Sequence, residues 1–288
     1  LLALDQPTYV AVVTDAESRA LRRDFYEAWS TRASDRGPLA GRWDNSPVME
    51  DILRRRHEAA QLLGFDNFAA YALATRMAKS VPEVIDFLHE LARAARPAAQ
   101  REFAELEQFA GTKLEAWDVA FWSERLQRSR YAVSQEELRP YFPLPRVLAG
   151  LFKVAERLFG IRIAERQGVA VWHPDVRYFE IAGPGGDIAG SFYLDAYARP
   201  HKRSGAWMDD CVGRKETSGG KTPPVAYLVC NFLPPNGAQP ALLTHDDVVT
   251  LFHEFGHGLH HMLTRVAYPS LSGINGVEWS AAELPSQF

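Results

Sequence analysis

His253-Glu254-Phe255-Gly256-His257 sets two imidazoles four residues apart, with a carboxylate directly after the first. On an α-helix, positions i and i+4 share a face with Cβ atoms roughly 6 Å apart, close enough for both histidines to ligate one metal ion. Glu254 falls about 100° further round the helix. There its carboxylate reaches a water on the ion without entering the coordination sphere, which is the place of a general base. The same pattern also occurs in buried helices that bind nothing and satisfy their histidines internally, so the neighbouring residues have to decide.

The neighbours make a helix. Val248, Leu251, Phe252, Phe255, Leu259, Met262 and Leu263 recur at steps of three and four, the spacing of one apolar stripe. Thr244 is placed to cap its start, and Asp246 and Asp247 fall in the first turn, where a carboxylate suits the helix dipole. The histidine face is separate from the stripe and continues, because His260 projects about 20° from His253. Gly256 and Gly258 are poor helix formers, each costing up to about 1 kcal/mol against alanine. Their bare positions leave room for another segment, or a substrate, to come close.

A catalytic zinc site takes three protein ligands and keeps a fourth position open. Two acidic residues downstream qualify. Glu278 lies just beyond the glycine-, serine- and asparagine-rich stretch 271–276, which reads as a loop. Glu283 lies in Ala281-Ala282-Glu283-Leu284-Pro285, and Ser280-x-x-Glu283 reads as a capping box opening a new helix. A helix places a ligand more rigidly than a loop, which favours Glu283. The capping role would also explain Glu283 without any metal, so spacing leaves both residues open.

Phe252 to His257, a serine-glycine loop, and then Glu283-Leu284-Pro285-Ser286-Gln287-Phe288 together resemble the thimet oligopeptidase family of zinc metallopeptidases. Supporting stretches run along the whole chain: Ser30 to Asp35, Trp43-Asp44-Asn45, Gly190 to Asp195, Gly205 to Asp210 and Pro240 to Leu243. The resemblance implies that Glu283 is the third zinc ligand beside His253 and His257, that Glu254 is the base, and that Glu278 is a loop residue. It also implies short, unstructured peptides as substrates, held in a deep channel that excludes folded proteins. Family members extend beyond both ends of this chain, so a protein incomplete at both ends is expected. The tyrosine and histidine that help stabilise the family's transition state are then expected outside it, and an isolated chain is expected to cleave poorly.

Composition narrows the field. The 288 residues are 47% hydrophobic, enough for a sizeable core, and 32 basic against 36 acidic side chains leave a net charge of −4. That balance gives no support for nucleic acid or an anionic membrane as partner. Cys211 and Cys230 form neither a disulfide framework nor a spaced ligand motif and read as reduced thiols, a cytoplasmic pattern. No apolar run approaches the roughly 20 residues of a membrane span, and the first five residues are too short for a signal peptide.

The expected fold is mainly α with a small β-sheet and a zincin-like metallopeptidase helix. A helical segment spans 1–165 and a catalytic segment 166–288. Helices are expected over 46–63, ending at Gly64; from Ser80-x-x-Glu83 onward, interrupted or kinked at Pro97; and over 143–159, stopped at Gly160. The charged stretch 93–107 reads as a solvated face. Val169 to Trp172, Tyr178 to Ile181, Ser191 to Leu194 and Val225 to Cys230 read as strands, with a turn at 183–186. The last of these strands marks the neighbourhood where an extended peptide could add to a sheet edge. Lys215 to Pro224 reads as a mobile loop. Two other functions fit less well. A peptidyl-dipeptidase would use the same zinc chemistry, and a non-enzymatic metal-binding module would have no use for Glu254.

Overall fold

The structure, a computed structural model, describes residues 2–132 and 134–287. Leu1 and Phe288, at the outer ends of two stretches quoted above, lie outside the described residues. Packing divides the chain into two units, 1–134 and 135–288.

The first unit is helical: α1 (Gln6–Asp15), α2 (Arg19–Ser30), α3 (Ser46–Leu62), α4 (Phe68–Leu73), α5 (Val81–Ala110) and α6 (Val119–Tyr131). Helix starts are set by side chains that accept otherwise orphaned backbone N–H groups, as Asp5, Ser18, Asn67 and Ser80 do. At Ser80 the box closes one residue early, since Glu83 accepts the N–H of Lys79 at 2.7 Å. Gly64 follows α3 with a φ of +80°, the stop that the sequence marks. Pro97 does not end α5, which runs unbroken for 30 residues. Arg93, whose carbonyl the proline leaves without its N–H, is exposed, so water can take the lost bond's place. The expected solvated face over 93–107 is largely exposed, with Leu106 buried. Asp118, at the start of α6, is buried with Arg22, and both Arg22 and Arg19 donate to its carboxylate at 2.7–3.1 Å.

The second unit holds α7 (Gln135–Leu138), α8 (Leu144–Phe159), the strands β1 (Arg162–Glu165), β2 (Arg177–Ala182), β3 (Ile188–Tyr197), β4 (Trp207–Val212), β5 (Lys215–Thr217), β6 (Gly220–Thr222) and β7 (Val225–Phe232), and finally α9 (His245–Met262). Five strands form one sheet in the order β1-β2-β3-β7-β4, in which only β3 and β7 run parallel. Alternation along the strands puts Phe179, Ile181, Phe192, Leu194, Ala226, Leu228 and Cys230 on the face that packs against α8 and α9, where they join Leu148, Leu151, Leu251, Phe255 and Met262 in one core. The opposite face carries a buried ion cluster. Asp195 of β3 accepts from Arg199 at 2.6 and 2.7 Å, from Lys202 at 2.8 Å and from the Trp172 indole at 3.0 Å. Lys202 also donates to the carbonyls of Asp195, Tyr197 and Cys230.

Three expectations need correction here. Val169 to Trp172 is not a strand; the first strand is β1, and Trp172 instead packs its ring against Tyr193 and Tyr227. Residues 215–222 are not an open loop but a two-stranded hairpin, β5–β6, whose Glu216 N–H reaches the Ala267 carbonyl at 3.1 Å. The Val225 strand is not at an edge, because β3 and β4 flank it; among the described residues the free edge on that side belongs to β4. The turn at 183–186 is present, with Gly183 and Asp187 bonded across it.

Candidate active site

Helix α9 starts on a full capping box: the Thr244 hydroxyl accepts from Asp247 N at 3.0 Å and the Asp247 carboxylate accepts from Thr244 N at 2.9 Å. Its apolar stripe is seated as the periodicity requires, with Leu251, Phe255 and Met262 buried and Val248, Phe252, Leu259 and Leu263 half-buried against the same core. Seating that face turns His253 and His257 together to one side, with ring centroids 4.9 Å apart.

Glu283 completes the group. One oxygen, Oε2, lies 3.3 Å from His253 Nε2 and 3.2 Å from His257 Nε2. Among the described residues these are the three side chains placed to hold a metal together, and Glu278 is not one of them. Zinc bonds of 2.0–2.1 Å at tetrahedral angles leave neighbouring ligand atoms about 3.3 Å apart. The observed spacings match, and two imidazole nitrogens with one carboxylate oxygen are a donor set that zinc accepts.

Glu283 does not sit on a helix. The new helix expected to open at Ser280 gives way to a succession of 3-10 turns, Trp279–Ala281 and Pro285–Gln287. What holds the turn in place is α9 itself. A Cβ on Gly256 would meet the Pro285 carbonyl oxygen at 2.4 Å and Ser286 Cα at 2.8 Å, so this position is bare because another piece of backbone lies on it. Gly258 makes the matching approach on the sheet side, where a Cβ would lie 3.0 Å from the Leu228 side chain.

Electrostatics sort the ionisable groups. Burial raises the pKa of Glu254, helped by the charge of Glu283, while His253 and the backbone N–H of Met208 act the other way. Burial lowers the pKa of His257 against the pull of Glu283, which favours the neutral imidazole that a metal ligand requires. His260, further along the same face, is half-buried and held down first by burial and then by His257 and His261. It lies outside the three-residue group.

Three participants escape a reading of the residues alone. Ser286 sits inside the quoted motif without a role, yet its hydroxyl is 3.1 Å from Glu283 Oε2. Met208 acts through its backbone N–H, for which side-chain patterns carry no signal. His261, fully buried, bonds through Nε2 to the Val212 carbonyl at 3.1 Å and so ties α9 to the end of β4.

Comparison with known proteins follows the same lines. Residues 12–288 match peptidase family M3. The whole chain is 55% identical to oligopeptidase A of Salmonella typhimurium and of Escherichia coli, covering 43% of each. It is 38% identical to dipeptidyl carboxypeptidase of Escherichia coli, covering 42% of that protein. The chain thus spans less than half the length of these relatives. The family match covers nearly every residue and takes in the histidine pair and Glu283: the chain belongs to peptidase family M3.

Proposed function

We propose that the protein is a zinc-dependent endopeptidase of short, unstructured oligopeptides. The observation that carries this reading is the position of Glu283 Oε2, within 3.3 Å of both imidazole nitrogens, beside a buried glutamate that is not itself in the trio. His253, His257 and Glu283 hold the ion. When bound, zinc lowers the pKa of a water molecule and polarises the scissile carbonyl.

Glu254 does the proton work. Its carboxylate takes a proton from the attacking water and passes it to the departing amine nitrogen. A pKa raised by burial suits both halves of that task, since the group must accept the proton and then release it. The free edge of β4 is where the substrate backbone lies. Helix α9 packs against this strand and His261 ties it to the end of β4, so a peptide paired along β4 runs beside the helix that carries the base. Free Cys211 and Cys230 suit a reducing compartment, and no helix among the described residues is long and apolar enough to cross a membrane. The reading places the enzyme in the cytoplasm, acting on peptides without nucleic-acid or membrane partners.

Peptide cleavage with product masses tests the proposal. Activity lost on chelation and regained with zinc, with internal bonds cut, is the expected outcome. Exclusive release of C-terminal dipeptides would replace it with the peptidyl-dipeptidase reading, which the 38% identity to a dipeptidyl carboxypeptidase favours as the second choice.

A further inference from the structure

Glu283 poses a positional problem. As a metal ligand it would have to hold one oxygen to within a few tenths of an ångström, yet its side chain is 69% exposed and it lies between two 3-10 turns, with no helix to stiffen it. An exposed glutamate samples many rotamers, and each one that points away leaves the two histidines without their partner.

Two neighbours address this. Ser286 is buried, and its Oγ lies 2.7 Å from the Glu283 carbonyl oxygen and 3.1 Å from Glu283 Oε2. The single hydroxyl proton is shared between backbone and carboxylate of the same residue, which fixes the direction of the side chain relative to its own turn. The oxygen it touches is the one facing both imidazoles. Gly256 fixes the turn relative to the helix. Ordinary contact begins near 3.4 Å, and a Cβ at 2.4 Å from the Pro285 carbonyl would push the turn away by about 1 Å, carrying Glu283 with it.

We propose that Ser286 and Gly256 are positioning residues that preset Glu283 as the third metal ligand, Ser286 by orienting the carboxylate and Gly256 by seating its turn on α9. This rests on the metal-site reading given above. Neither residue touches the reacting atoms. Their effect falls on metal affinity first, where loss of a group that orients a ligand typically costs 10- to 100-fold.

The test is zinc affinity, measured by competition with a chromophoric chelator on the purified protein and on Ser286→Ala, Gly256→Ala and Glu283→Ala, with the visible spectrum of the cobalt-loaded forms as a second readout. Ser286→Ala is expected to bind zinc 10- to 100-fold more weakly than the parent and to show an altered cobalt spectrum, while its metal-free unfolding midpoint stays near the parent's. Gly256→Ala is expected to weaken binding as well, and it serves if Ser286→Ala does not fold. Unchanged affinity in both, with Glu283→Ala impaired, overturns the positioning role and leaves the metal site standing. Unchanged affinity in Glu283→Ala overturns the metal-site reading itself, and the positioning role with it.

Discussion

Replacing Asp195 with asparagine should cost the second unit several kcal/mol, about the value of a broken buried ion pair. The carboxylate is buried beneath the sheet face opposite α9 and faces two cations, Arg199 and Lys202, with Trp172 on its second oxygen. Burial alone would raise its pKa, but the bonds from Arg199, Lys202 and Trp172 outweigh burial and hold it at about 2, against 3.8 for an ordinary aspartate. That gap corresponds to roughly 2 kcal/mol of folding stability. Because the folded-state pKa is the lower one, this contribution is complete above the unfolded value and disappears as pH falls from about 5 towards 2. Asp195→Asn leaves Lys202 buried without its counter-charge, a defect of about 3–5 kcal/mol. Urea unfolding at pH 7, followed by near-ultraviolet circular dichroism, should show a loss in that range. The variant should also show a shallower decline of stability between pH 5 and 2 than the parent. Changing Lys202 to methionine in the same molecule should recover part of the loss, as expected for coupled charges. A single-variant loss under about 1 kcal/mol, or an unaltered acid slope, would refute the assignment of this cluster as an anchor of the sheet.

Other outcomes follow from the same reasoning. In the metal-free protein the Glu254 carboxyl should titrate above the ordinary carboxylate range, since burial raises its pKa, and carbon-13 NMR of the carboxyl group reads the shift. Titration at or below the free glutamate value of 4.5 in the metal-free protein would count against it. Burial pushes the Cys230 thiol up to about 12, so in the native protein it should resist a thiol reagent that labels it readily after unfolding. Native-state labelling of Cys230 at the unfolded rate would contradict that environment.

Much of the fold was legible because α9 announces itself at several levels at once. Apolar period, N-cap and first-turn acids agree, and the structure keeps all three, with Asp247 closing the cap into a box. The sheet was harder. Val169 to Trp172 has the residue types of a strand, but the preference of such residues for sheets reflects packing, and here Trp172 is spent on Asp195 and two tyrosines. Arg162 to Glu165 became the edge strand despite two charged residues in four, a composition that edges tolerate and patterns miss. Polar residues hid the 215–222 hairpin in the same way, because neither strand has a buried face to create alternation. At the site, helix phase put the two histidines on one face with Glu254 beside them, and the structure keeps that placement. Glu283 could not be placed that way, since a residue between consecutive 3-10 turns has no periodicity; the family resemblance pointed to it, and the bare surface of Gly256 shows how its turn reaches the helix.

Metal stoichiometry and turnover, measured together on the parent and on Glu254→Gln, test the central claim most directly. The account predicts one zinc per chain in both proteins, with peptide hydrolysis by Glu254→Gln reduced about 10²- to 10⁴-fold, the span of a lost general base. Undiminished hydrolysis by Glu254→Gln, or loss of the metal along with the carboxylate, would contradict it.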